Sequence, residues 1–149
     1  MKTEDHLAVT VHHRFRQSAE KVFDAWLDVK QARRFLFSTE TGEVIRCEID
    51  PRVGGRFVLT DRRPDGEVEH TGEYLVIERP RRLVFTFGIP AASPTYDIVT
   101  IEITPQADGG CTLRLTAEMK PEWKDYADRA RRGWARILDS LDDALKHAA

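Results

Sequence analysis

The sequence predicts an α+β domain in which a curved antiparallel sheet of six or seven strands closes on one long C-terminal helix. Three observations carry that expectation. Apolar and polar residues alternate at period two from Val44 to Met119. Turn residues interrupt that stretch at regular intervals. From Trp123 onward the apolar spacing changes to three and four, the stripe of an amphipathic helix.

The first strand runs from Ala8 to Phe15, with Val9, Val11, His13 and Phe15 on one face. Ser18 caps a short helix, and Glu20 lies in its first turn, where the helix dipole favours an acid. Val22, Phe23 and Trp26 follow at helical spacing. A second short helix spans Val29 to Phe35, and Leu36 and Phe37 close it with apolar bulk. Ile45, Cys47 and Ile49 then alternate with Arg46 and Glu48. Pro51 to Gly55 is a turn, Phe57 and Leu59 share the next strand face, and Arg63-Pro64-Asp65-Gly66 reverses the chain. Val68 to Glu78 is the following strand; its register stays open, because Tyr74 with Val76 and Leu75 with Ile77 are both apolar. Arg79-Pro80 turns the chain to Leu83, Phe85 and Phe87, and Pro90 to Pro94 forms a loop. Val99, Ile101 and Ile103 alternate, Asp108-Gly109-Gly110 turns, and Cys111 to Met119 alternates again. Strands joined by such turns are antiparallel neighbours. On the C-terminal helix, Asp125 with Arg129 and Asp128 with Arg132 are favourable acid-first pairs. A helix of about 35 Å suits a sheet with one face to cover.

No linker or repeat divides the 149 residues, so residues 1–149 are expected to form one domain. The formal net charge of -2 gives no basic surplus for a nucleic-acid backbone. No apolar run approaches the ~20 residues of a membrane span. Met1 to Thr10 has no apolar core of a signal peptide, which points to the cytoplasm. Cys47 and Cys111 lack a CxxC spacing and read as buried thiols. A strand edge can pair two copies, so monomer and homodimer both stay open.

Several stretches resemble a known family. Ser18-Ala19-Glu20-Lys21-Val22-Phe23-Asp24-Ala25-Trp26 resembles its first motif, and Asp50 to Phe57 its glycine-pair turn. Gly72-Glu73-Tyr74 through Phe85 resembles its central hairpin, and Gly133-Trp134 with Leu138 and Leu141 its final helix. The family is the activator-of-heat-shock-ATPase-like group of the START-like (SRPBCC) helix-grip superfamily, here as a stand-alone C-terminal-type domain. The resemblance implies a helix-grip fold and a cavity between sheet and helix that takes small hydrophobic molecules. It also implies two alternatives: a co-chaperone that modulates a heat-shock ATPase, or an enzyme like the cyclases and hydrolases of the superfamily. None of its motifs is a catalytic signature, and a fold alone does not give a function.

The candidate lining of such a cavity is Trp26, Phe37, Phe57, Tyr74, Phe85, Phe87, Trp123, Trp134 and Leu138. Their rings supply apolar walls, and indole and phenol groups orient a ligand; the same residues equally fill a plain core. Pockets start near ~300 Å³. A dry void of that size costs about 7 kcal/mol, which rivals a domain's whole stability. Any large cavity is therefore expected to be hydrated, occupied or partly collapsed. His13 and His70 are candidate polar contacts. His12 and His13 point to opposite faces of a strand, and no spacing suits zinc, so no metal or cofactor is expected. Asp61 continues the Phe57/Leu59 face, or ends its strand in water; buried among apolar residues it would act as an acid or base. Arg131 reads as solvated. No nucleophile elbow, phosphate loop or dinucleotide motif occurs, so no catalytic residue is assigned.

Overall fold

Strand alternation and short turns build the sheet. The computed structural model describes residues 7–36 and 42–146. Its strands are β1 (Leu7–Phe15), β2 (Glu43–Ile49), β3 (Arg56–Arg63), β4 (Gly66–Glu78), β5 (Arg82–Phe87), β6 (Asp97–Pro105) and β7 (Cys111–Met119). They form one antiparallel sheet in the order β1-β7-β6-β5-β4-β3-β2. The chain leaves β1, crosses through helices α1 (Ala19–Ala25) and α2 (Val29–Phe35), and enters the opposite edge at β2. It then returns strand by strand until β7 pairs with β1. Both short helices start on side-chain caps: Ser18, as expected, accepts from the Lys21 amide, and Asp28 accepts from the Lys30 amide.

One face of the sheet is mainly apolar. The row Val9, Ala117, Val99, Phe85 and Tyr74 lies in direct register across five strands, and every member is buried. Helix α3 (Ala127–Lys146) lies against that face through Trp134, Leu138, Leu141 and Ala144. This is the α+β helix-grip arrangement. His13 on β1 holds the last turns of α3 in place, with Nε2 2.8 Å from Asp142 Oδ2 and Nδ1 3.5 Å from Asp139 Oδ1. No helix among the described residues is long and apolar enough to cross a membrane.

Three details differ from simple alternation. In β4 a bulge falls between Tyr74 and Val76. Tyr74 faces inward opposite Phe85, Leu75 is pushed out, and Ile77 faces inward opposite Leu83, so both apolar sets are used in turn. In β2 a bulge between Val44 and Arg46 expels Ile45, and Val44 takes the inward place. The segment before α3 is a 3₁₀ turn, Pro121–Tyr126, with Trp123 off helical geometry at φ -93 and ψ 15. Such winding aligns residues three apart, so the Trp123 and Tyr126 rings meet at 6.3 Å and Tyr126 leaves the buried stripe. The α-helix proper has 20 residues, about 30 Å rather than about 35 Å.

Gly72 belongs to the same design. The Phe57 ring of β3 lies directly over it, and a Cβ there would overlap both that ring and the Thr86 carbonyl. The ring can tilt but the backbone carbonyl cannot, so Gly72→Ala forces two strands apart. A loss of about 1–3 kcal/mol is expected, measured as a lower urea midpoint with an unchanged denaturant slope.

Candidate functional site

The inward-facing aromatic residues form two groups. The first is closed. The Trp26 ring meets Phe35 edge-on at 5.1 Å and Phe85 at 6.3 Å, and Phe57 sits 5.7 Å from both Tyr74 and Phe85. All five are buried. Burial, with smaller contributions from Cys47 and Asp50, pushes the Tyr74 phenol well above its ordinary range. Trp26 Nε1 is buried and has no hydrogen-bond partner among the described residues, an omission that costs roughly 1–3 kcal/mol when nothing fills it.

The second group is mixed. Phe87, at the end of β5, stacks on His70 of β4 at 5.9 Å and meets Trp134 of α3 edge-on at 5.5 Å. Polar side chains surround this contact on the inner face. Asp61 is 0% exposed and accepts from Arg63 Nε at 2.8 Å. It is not at a wetted strand end; β3 continues through it and its side chain faces inward opposite Val68. His70 is 3% exposed, and its Nδ1 lies 3.2 Å from the Leu59 carbonyl. A carbonyl only accepts, so Nδ1 carries the proton and Nε2 is the acceptor nitrogen. Burial drives its pKa down to about 4, so the ring is neutral at neutral pH. Asp97 opens β6 directly opposite Phe87. Burial raises its carboxyl to about 6.

Sequence alternation missed Asp97, although the signal was present. Val99, Ile101 and Ile103 share one face, and two residues back along that period lies Asp97. The intervening loop hid it, because a charged residue next to a loop reads as solvated.

The other candidates lie elsewhere. His13 and its two aspartates sit where β1 meets the end of α3. Trp123 is half-buried on the 3₁₀ turn, and Leu138 lies in the core beneath α3. Arg131 is exposed and pairs with Asp128. Cys47 and Cys111 are both free thiols. Phe37 lies outside the described residues. On the opposite, outer face of the sheet, His12, Glu102, Thr104, Thr112 and Arg114 line a shallow depression of about 360 Å³. Its walls are polar and charged, unlike the inner site.

The family model described as Activator of Hsp90 ATPase homolog 1-like protein matches residues 16–146. Three solved structures show the same fold. A protein of unknown function from Staphylococcus aureus superposes with a TM-score of 0.84 at 18% identity, over 95% of this chain and 94% of that one. One from Arthrobacter aurescens gives 0.81 at 19% identity, over 100% and 91%. An AHSA1-like protein from Aeromonas hydrophila gives 0.80 at 21% identity, over 96% and 98%. No curated protein sequence matches the chain significantly.

The two titrating groups act on stability with opposite signs. His70 has a folded pKa of about 4 against an ordinary 6.5. The unfolded chain therefore binds a proton that the folded one refuses, and stability falls as pH drops from 6.5 towards 4. Asp97 has a folded value of about 6 against 3.8, so the folded state keeps a proton the unfolded one has lost, and stability falls as pH rises through that window. In urea denaturation, His70→Gln is expected to lose least stability, relative to wild type, at the acid end. Asp97→Asn is expected to gain on wild type as pH rises from 4 to 6 and to hold that gain above.

Proposed function

We propose, for a chain that belongs to the family of Activator of Hsp90 ATPase homolog 1-like proteins, a role in binding a small, mainly apolar molecule between the first half of α3 and strands β3–β6. One observation carries this reading. Asp61, His70 and Asp97 are set into an otherwise apolar inner layer, at one end of it, around the Phe87–Trp134 contact. A core built only for stability gains by replacing such groups with hydrocarbon, because burying them costs free energy. Apolar walls with a few convergent polar groups are instead the make-up of a small-molecule site. Phe87 and Trp134 supply the walls, and His70 Nε2 and the Asp97 carboxylate supply polar contacts. Trp26, Phe57, Tyr74 and Phe85 form the floor. A protein partner, the alternative that the family name suggests, would meet the outer surface and leave this inner site unused.

The test is a titration with the neutral fluorescent probe N-phenylnaphthylamine, followed by calorimetry. Saturable one-to-one binding is expected. Trp134→Ala and, independently, Phe87→Ala should weaken it at least about tenfold, equivalent to about 1.4 kcal/mol. Tyr126→Ala, on the exposed edge of the 3₁₀ turn, should leave it unchanged. Probe binding indifferent to both inner substitutions, or no saturable binding, would overturn the proposal.

A further inference from the structure

The inner site also has a polarity. Asp97 alternates with Val99, Ile101 and Ile103, all buried, and stands in register with Phe87 on β5. The β6–β7 register carries its other side towards Met119, also apolar. Among the described residues no hydrogen bond or ion pair reaches its carboxylate, and burial is the sole influence on its titration. A half-buried carboxylate flanked by apolar groups is costly until a cation or donor arrives.

The neighbouring groups set the sign of what arrives. Arg63 is matched by the buried Asp61, so its charge is already answered. His70 is neutral and brings no charge. Phe87, stacked on His70, and Trp134, which meets it edge-on, bring no charge of their own. An anionic ligand would meet the Asp97 charge with no net cation to offset it.

We infer that the molecule this site takes carries its polar end as an ammonium group, held by the Asp97 carboxylate beside Phe87, and that the site discriminates against carboxylates. The inference rests on the binding role proposed above and narrows its ligand class to apolar amines. It is unlike a fatty-acid site, which needs an unmatched arginine or lysine where this chain has Asp97.

Three ligands sharing one ring system separate the possibilities: naphthylmethylamine, naphthylmethanol and naphthoate, titrated calorimetrically into the intact protein at neutral pH. The expected order is amine, then alcohol, then carboxylate, with the amine at least about tenfold tighter than naphthoate. Asp97→Asn should weaken the amine about tenfold and leave the alcohol within about twofold. Naphthoate binding as tightly as the amine, or an amine indifferent to Asp97→Asn, overturns the ammonium assignment and leaves the binding role standing. If none of the three binds and N-phenylnaphthylamine does not either, the binding role falls and the assignment falls with it. The ligand series on the unaltered protein decides the matter even where a variant folds poorly.

Discussion

One helix has to cover one face of a seven-stranded sheet, and its width is the constraint on which this structure turns. Seven strands span six spacings, about 29 Å across. An α-helix with its side chains is about 10–12 Å wide. Helix α3 alone therefore leaves most of the apolar face open. The sheet answers in two ways. It curves, helped by bulges in β2 and β4, and it places α1 and α2 against the inner layer, where Val22, Phe23, Trp26, Ala32 and Phe35 are all buried. Cover is complete where these elements crowd together, around Trp26, Phe57 and Phe85. It is thinnest towards the start of α3, where Phe87 is only partly buried and Asp97 half-buried. The candidate site lies where covering is hardest.

That position accounts for Asp97, which keeps partial exposure, whereas Asp61 and His70 are fully enclosed and depend on Arg63 and the Leu59 carbonyl. In the closed part of the layer a charge would have no solvent and no partner, and hydrocarbon wins at almost every position. Near the start of α3 the penalty for a carboxylate is partial, since Asp97 still titrates at about 6 and is not driven out of its ionisable range altogether. His70 goes further: its Nδ1–H is committed to the Leu59 carbonyl, which fixes the tautomer, and burial keeps the ring uncharged. Because the two groups pull stability in opposite directions between pH 4 and 6, their costs do not peak together. The site can hold both without a single pH at which the fold bears the full penalty of each.

The fold was largely legible in the sequence because its signals are local and periodic. Val29–Phe35 was read as a helix with the bounds it has, and the turn at Pro64–Asp65 before Gly66 joins β3 to β4 as its residues require. What local periodicity could not resolve was where a period breaks. Tyr74 and Leu75 are both apolar, and only the pairing with β5 shows that a bulge lets the strand change parity between them. Ile45 looked like a core residue for the same reason, until its bulge turned it out. The site was less legible. His70 and Phe87 were picked out as separate residues, but their stacking depends on a contact between β4 and β5 that neither segment encodes alone. Asp61 sits in phase with Phe57 and Leu59, where the sequence left a buried place and a wetted strand end both open, and Asp97 sits in phase with Val99 but was hidden beside its loop. In both places phase won: Asp61 is 0% exposed with Arg63 as its partner, and Asp97 is half-buried opposite Phe87.

Membership of a family and a shared fold fix the layering of sheet and helix but not the chemistry of the layer between them, since the superposed relatives are only 18–21% identical. In this chain the aromatic residues alone would describe a site for any apolar molecule. It is the charge balance around them that makes a choice: Asp61 neutralises Arg63, His70 is held neutral, and Asp97 is left to face the interior with apolar neighbours. Such a balance is a property of three strands brought together. It can be altered by one substitution without touching the fold.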